Sequence, residues 1–297
     1  MKSVKYCIQH PSHFLLWIAF VFKNFFPDML YLKIVYRARF GCKLNLNNPK
    51  GFNEKLNWLK LYNQNHIYTV LADKFAVKQY VKKTIGEKYV VPCYGVWKSF
   101  DEIEFSKLPQ QFVLKTNHDS SGAVICLDKS KFDYQGKRTF FNKVLKRNWF
   151  YQLREWPYKN IPHQILAEQY LDDGTGTELR DYKFWCFNGV PKVMYITNKG
   201  KEIYENFYDM DFKPLDIDHG FPRKTPEYAM PSHFGEMKKL ASQLSKGFPF
   251  IRVDFFLIKE NVYFGEFTFY DWGGMKPLNK KWEERAGTWI NLSMIRR

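Results

Sequence analysis

The stretch Ile251-Arg252-Val253-Asp254-Phe255-Phe256-Leu257-Ile258-Lys259-Glu260-Asn261-Val262-Tyr263-Phe264-Gly265-Glu266-Phe267-Thr268-Phe269 decides how this chain is read. Two apolar runs rich in aromatic and β-branched residues flank three polar ones, the pattern of a β-hairpin. A three-residue loop at Lys259-Glu260-Asn261 sets Ile258 against Val262. Cross-strand partners then sum to 520, and Asp254 falls opposite Glu266. Alternation puts both carboxylates on one face with Phe256, Phe264 and Thr268. Paired Cβ atoms lie about 5 Å apart, and like charges placed directly opposite destabilise a sheet. A positive group is therefore expected between them. Magnesium suits the pair, because it takes a few carboxylates and completes its shell with phosphate oxygens and water. The plain alternative is a solvent-facing strand with two ordinary carboxylates. A two- or four-residue loop would undo the pairing.

Working outward, Gln111-Phe112-Val113-Leu114-Lys115 reads as a strand ending in a cation, and Thr116-Asn117-His118-Asp119-Ser120-Ser121-Gly122 leads from it to a second strand at Ala123. Small residues in such a loop let backbone N–H groups approach an anion, and Lys115 adds a point charge. There is no GK[ST], and the loop leads to a strand, so this is not a P-loop. His118 reads either as a base or as an ordinary hydrogen-bonded histidine. A helix is expected from Asp73, its N-cap, to Lys83, with Gly86 as the stop, which sets Lys74 and Lys78 one turn apart. Asp181 and Lys183 alternate onto one face of the strand around Tyr182 to Phe187. Phe269-Tyr270-Asp271-Trp272-Gly273-Gly274 either closes a substrate side or turns the chain, with Asp271 as a further polar ligand.

Further strands are expected at Val90-Val91, Ala123 to Leu127, Ile165 to Ala167 and Val193 to Thr197. Helices are expected at Lys137 to Arg147 and Met237 to Leu244, with helical character through residues 1–65. Of 297 residues, 45% are apolar and 19% aromatic, which supports a sizeable core and excludes intrinsic disorder. The net charge of +16 leaves nucleic acid, anionic lipid or an anionic substrate open as partners. Positions 1–100 hold 16 basic and 4 acidic residues, so +12 of the excess lies there. No nucleic-acid motif accompanies it, and the aromatics sit in apolar strands, which disfavours nucleic acid. Five widely spaced cysteines without a CxxC pair speak against a disulfide framework or zinc site and for reduced thiols in a cytosolic compartment. The run from Phe14 to Phe22 is too short to span a bilayer. It reads either as a helix in the membrane surface or as a helix packed on the main domain.

In order from about residue 45 to the C-terminus, six stretches resemble the ATP-grasp superfamily, in particular its polysaccharide- and teichuronopeptide-biosynthesis family. They are Phe52-Asn53-Glu54-Lys55-Leu56, Asp73-Lys74-Phe75-Ala76-Val77, Phe112-Val113-Leu114-Lys115 with His118-Asp119-Ser120, Ala167-Glu168-Gln169-Tyr170, Arg180-Asp181-Tyr182-Lys183-Phe184, and Val253-Asp254-Phe255-Phe256 with Phe264-Gly265-Glu266-Phe267-Thr268. The resemblance implies an α+β fold of two lobes around ATP, with a basic helical N-terminal region over 1–68, one lobe over 69–162 and the other over 163–297. It implies ATP and magnesium as cofactors, and Lys74 and Lys115 on the nucleotide phosphates. Ser120, Ser121 and Gly122 would lie in the flap over those phosphates, and Glu168 would stand on the strand bordering adenine. Lys183, with Asp181 and His118, would act at the transferring phosphoryl group. Asp254, Glu266 and Thr268 would form the metal set, Thr268 standing where many relatives carry Asn. The implied activity is a ligase or transferase of cell-envelope polysaccharide. It would activate a carboxylate as an acyl phosphate for attack by an amine, in the cytoplasm or at the inner face of a bacterial plasma membrane. The partners would be an anionic glycan or lipid-linked sugar precursor and the anionic membrane carrying it. Glycosyl or phosphoryl transfer in the same pathway is the other enzymatic reading.

Overall fold

Strands β1 (Cys93–Trp97), β2 (Phe112–Thr116), β3 (Ala123–Cys126) and β4 (Ile165–Gln169) form an antiparallel sheet in the order β1-β4-β2-β3. Strands β5 (Asp181–Phe187), β6 (Val190–Thr197), β7 (Glu205–Tyr208), β8 (Pro214–Leu215), β9 (Ile251–Ile258) and β10 (Asn261–Thr268) form a second, in the order β10-β9-β5-β6-β7-β8. The computed structural model describes residues 11–174, 179–198 and 202–295. Lys2, Lys5 and Cys7 lie outside the described residues, while Cys42, Cys93, Cys126 and Cys186 are free thiols.

The decisive hairpin forms, with a correction in its register. Asn261 pairs with Ile258 and Phe264 with Phe255, so the loop is the two residues Lys259-Glu260. Such tight turns match strand twist when a loop residue adopts positive φ, and Lys259 sits at φ 55°. Register then shifts between Phe264 and Phe267, and Phe267 pairs with Val253. Gly265 and Glu266 thus form a β-bulge opposite Asp254, which restores the carboxylate pairing that the shorter loop would have broken. A Cβ on Gly265 would stand 3.2 Å from the Asp254 carbonyl oxygen, so a side chain there would press the opposite strand away.

Helices α1 (Pro11–Val21), α2 (Asp28–Phe40), α3 (Phe52–Tyr62), α4 (His66–Ala72) and α5 (Val77–Thr84) precede the first sheet, with α6 (Tyr134–Val144) and α7 (Phe150–Leu153) between β3 and β4. Helix α8 (Phe234–Leu244) lies against the large sheet, and α9 (Lys280–Trp289) closes the chain against α3. Helices α2 to α5 bury Tyr31, Leu32, Phe52, Leu56, Leu71 and Val81 in one core with Trp185 and Val253 of the large sheet and Phe250, just before β9. Phe52 stacks on Trp185 at 4.9 Å and meets Phe250 edge-on at 5.1 Å. The basic N-terminal region is therefore continuous with the main core from α2 onward, while most of the large apolar side chains of α1 stay exposed.

Three local expectations shift. Val90-Val91 is no strand: Pro92 follows, without a donor, and Val90 makes a single bridge to Phe264. The helix foreseen from Asp73 begins at Val77 instead. Asp73 caps the turn before it, its Oδ1 accepting from the amides of Phe75 and Ala76. Strand β4 belongs to the smaller sheet, so the sheets divide after Gln169, beyond the expected lobe boundary at 162 and 163. Among the described residues no helix is long and apolar enough to cross a membrane.

Candidate active site

A cavity of about 380 Å³ lies between the sheets, lined among others by Lys74, Lys78, Lys115 and Glu168 on one side and by Phe256, Phe264 and Gly265 on the other. In the register of β2 and β4, Val113 faces Glu168, which places Lys115 on the adjacent diagonal of the same face. Glu168 is buried between Lys115 and Lys78, the latter at 2.6 Å. Burial raises its pKa, but the two lysines outweigh that and lower it, so Glu168 is a carboxylate that fixes both ammonium groups. Lys74 donates to the Asp119 carbonyl at 2.6 Å, and burial lowers its pKa. Lys74, Lys78 and Lys115 thus gather at one part of the cavity around Glu168, while Asp172 and Asp173 also border it.

Beyond Gly265 the hairpin carries a buried charge network. The Arg252 guanidinium grips Asp254 with two bonds, Nε to Oδ1 and Nη2 to Oδ2, both 2.7 Å. The same Nη2 reaches Glu266 at 3.1 Å, and Nη1 donates to Asp271 at 2.6 Å. Lys183 donates to Asp254 at 2.5 Å and stands 3.2 Å from Asp181. Burial alone would lower the pKa of Lys183, but Asp181 and Asp254 outweigh it and raise it. Burial raises that of Asp254, opposed by Arg252 and Lys183. Behind Asp271, His219 lies 3.7 Å from its Oδ2 and 2.9 Å from Glu205. The positive group demanded by the opposed carboxylates is thus, in part, the protein's own guanidinium.

Among the described residues no group of three or more His, Cys, Asp or Glu converges to hold a metal. A magnesium ion bound with a nucleotide needs no such group, since one or two carboxylates and the phosphates suffice. Asp254 and Glu266 fit that requirement. Four carboxylates (Asp181, Asp254, Glu266, Asp271) face two cations, which leaves the cluster negative enough for a further cation. Thr268 hydrogen-bonds Glu266 at 3.5 Å and so supports that carboxylate.

The loop after Lys115 is built differently from its sequence reading. The amides of Ser121 and Gly122, expected to face an anion, both donate to Asp119 Oδ1, at 2.7 and 2.6 Å. Ser120, Ser121 and Gly122 are not among the residues lining the cavity. Gly122 is needed for packing, because a Cβ there would fall 2.1 Å from Thr116 Oγ1 and 2.9 Å from Val144. His118 is buried beneath the loop, its ring stacked on His163 at 3.8 Å. Burial and His163 lower its pKa to about 4, so it is neutral and structural rather than a base facing the cavity.

Sequence reading missed Arg252, although it alternates onto the face of Asp254. It also missed Lys60 and Asn57, buried polar positions in an apolar helix. Lys60 donates to the Leu153 carbonyl at 2.9 Å and to that of Gly273, and Asn57 to that of Gly274 at 2.7 Å. They hold the Asp271–Gly274 turn, where Trp272, Gly273 and Gly274 all have positive φ.

Two antiparallel sheets enclosing a cavity, with Lys115 of the small sheet joined by Lys74 and Lys78 at one side and a carboxylate hairpin of the large sheet at the other, define the ATP-grasp class. Residues 54–291 match the TupA-like ATPgrasp family, and the chain belongs to it. No curated protein matches the chain. Similar solved structures include D-alanine–D-alanine ligase from Bacillus anthracis complexed with ATP, at 16% identity and TM-score 0.37 over 68% of this chain and 55% of that one. The D-alanine–D-alanine ligase of Helicobacter pylori shares 16% identity at TM-score 0.42, over 80% and 69%. The L-amino acid ligase of Bacillus licheniformis shares 14% at TM-score 0.42, over 84% and 55%. The chain thus spans little more than half the length of two of these three.

Proposed function

We propose that the chain is an ATP- and magnesium-dependent ligase of cell-envelope polysaccharide assembly, which phosphorylates an acceptor carboxylate and lets an amine displace the phosphate. One observation carries this reading: a single inter-sheet cavity has a lysine wall at one side and the Arg252–Asp254–Glu266 cluster beyond the other, close enough for the charge of Glu266 to act on Lys74. Phosphoryl transfer asks for positioned cations more than for a protein nucleophile. Lys74 and Lys115 would bind the phosphates, with Lys115 held in place by Glu168. Lys183 and Arg252, fixed by Asp181, Asp254 and Asp271, would neutralise charge developing on the transferred group. Asp254 and Glu266 would hold magnesium, which supplies neutralisation of the phosphate oxygens. An anionic glycan or lipid-linked sugar on the cytoplasmic side of the envelope is the acceptor class that the basic first hundred residues favour.

The test is to incubate the protein with ATP, magnesium, hydroxylamine and uronic-acid sugars. Hydroxamate and ADP in equal amounts are expected. Failure of ATP with magnesium to shift the melting temperature, together with no ADP release, would overturn the reading.

A further inference from the structure

Exposed large hydrophobic side chains are densest in the hairpin of α1 and α2. Nine large hydrophobic side chains between residues 14 and 30 are exposed: Phe14, Leu15, Trp17, Phe20, Val21, Phe22, Phe25, Met29 and Leu30. Phe25 is 84% exposed and Phe20 is 52% exposed, and Phe25 lies in the bend between the helices, so the patch is a projecting tip rather than a groove. Contiguous apolar surface of this kind marks a binding face. The eleven residues of helix α1, Pro11–Val21, contain no Lys, Arg, Asp or Glu. Eleven residues fall short of the roughly 20 needed to span a bilayer.

The charged residues along this part of the chain are mainly basic. Residues 11–53 hold six Lys or Arg and a single acid, Asp28. Asp28 is already paired with Arg154 at 2.5 Å. Lys33 and Arg37 follow Met29 at intervals of four along α2, and all three are exposed on one face of that helix. Aromatic and aliphatic side chains at a tip, with cations a turn or two behind, match an acyl layer beneath an anionic headgroup layer. A second copy of this chain fits less well, because a two-fold contact through this tip would set one basic rim against another.

We infer that the α1–α2 hairpin docks the protein on an anionic phospholipid surface, with Phe20, Phe22 and Phe25 inserted and Lys33 and Arg37 at the headgroups. The tip is anchored to the body by Arg154, which donates to the carbonyls of Lys23 and Phe26 and pairs with Asp28. The preceding residue, Leu153, accepts at its carbonyl from Lys60, which also donates to the Gly273 carbonyl in the turn that carries Asp271. Docking would therefore hold the candidate active site close to the membrane, whatever reaction occurs there.

Vesicle flotation of the full chain tests this, using phosphatidylcholine alone and an equal mixture with phosphatidylglycerol. Wild type is expected to float with the mixed vesicles. Partitioning should fall at least about tenfold both in the Phe20→Ser/Phe25→Ser variant and in the Lys33→Glu/Arg37→Glu variant, with melting temperatures unchanged because all four side chains are exposed. Absence of wild-type flotation, or equal flotation by the phenylalanine variant, would overturn the inference. So would a wild-type dimer in solution that the phenylalanine variant converts to monomer, which would assign the tip to a second copy.

Discussion

At the level of single residues, the ion pairs divide the candidate site into parts with different stakes. Lys115 shares Glu168 with Lys78, so removing it leaves the buried carboxylate one partner. Lys115→Ala should cut ATP turnover by at least about 10²-fold. The melting temperature should change little, which a thermal scan beside the turnover assay will check. Arg252 serves Asp254, Glu266 and Asp271 together, with Lys183 as a second cation at Asp254. Arg252→Met should cost about 3–5 kcal/mol in urea unfolding, because it strands buried carboxylates. Adding Asp271→Asn should recover part of that loss, a coupling that a double-mutant cycle reads directly. His118 gives a pH signature. Its folded pKa of about 4 lies below the usual histidine value of 6.5, so the folded state resists the proton that the unfolded state accepts. Stability should therefore fall as pH drops from 6.5 towards 4, by about 2 kcal/mol between pH 6.5 and 5. His118→Phe should flatten that slope, measured as the difference between wild type and variant across the range. The carboxylate pair was legible in the sequence because strand alternation is strict. Arg252 sat on the same face in plain view, but no pairing rule says which cation a carboxylate will choose.

At the level of elements, the hairpin shows how two departures from a simple pattern can cancel. The two-residue turn moves every partner by one, and the Gly265–Glu266 bulge moves them back at Asp254. Alternation alone reveals strands, not bulges, which is why the pairing was readable while its route was not. Strand β7 was hidden for a related reason: Glu205 and Asn206 look like surface residues, yet they are buried, Glu205 against His219 and Asn206 against Glu227. Helix α9 escaped because its lysines, arginine and glutamates mask its packing on α3. That packing is tight at Gly287, where a Cβ would stand 2.1 Å from the Lys50 carbonyl oxygen and 2.9 Å from the Gly51 carbonyl carbon. Backbone cannot step aside as a side chain can. Gly287→Ala should therefore destabilise by about 1–3 kcal/mol despite the better helix propensity of alanine. It should also disturb the bonds from Lys55 to the carbonyls of Gly287 and Ile290. Gly235 in α8 has open space around it, and Gly235→Ala should be neutral or stabilising by up to about 1 kcal/mol. Urea midpoints of the two variants, compared with wild type, check both signs at once.

At the level of the whole molecule, the two sheets are unequally supported. Among the described residues, 50 buried hydrophobic side chains form the core shared by the large sheet and the N-terminal helices. Nine form the separate core under β1 to β4, Phe112, Leu114 and Phe141 among them. Local opening free energy follows buried apolar contact, so the small sheet should open first. Its inner face also carries Lys115 and Glu168, so opening there would displace the lysine side of the cavity. A ligand that bridges both walls binds the closed arrangement and must stabilise the weaker lobe more than the stronger one. Hydrogen exchange on the free protein should accordingly show amides of β2 and β3 exchanging sooner than those of β5 and β9. Saturating ATP with magnesium should protect β2 and β3 by more than tenfold, about 1.4 kcal/mol of added stability, and leave β5 and β9 nearly unchanged. Lys115→Ala should abolish the added protection without altering the exchange of β5 and β9. Uniform protection of both sheets would mean instead that they open as one unit.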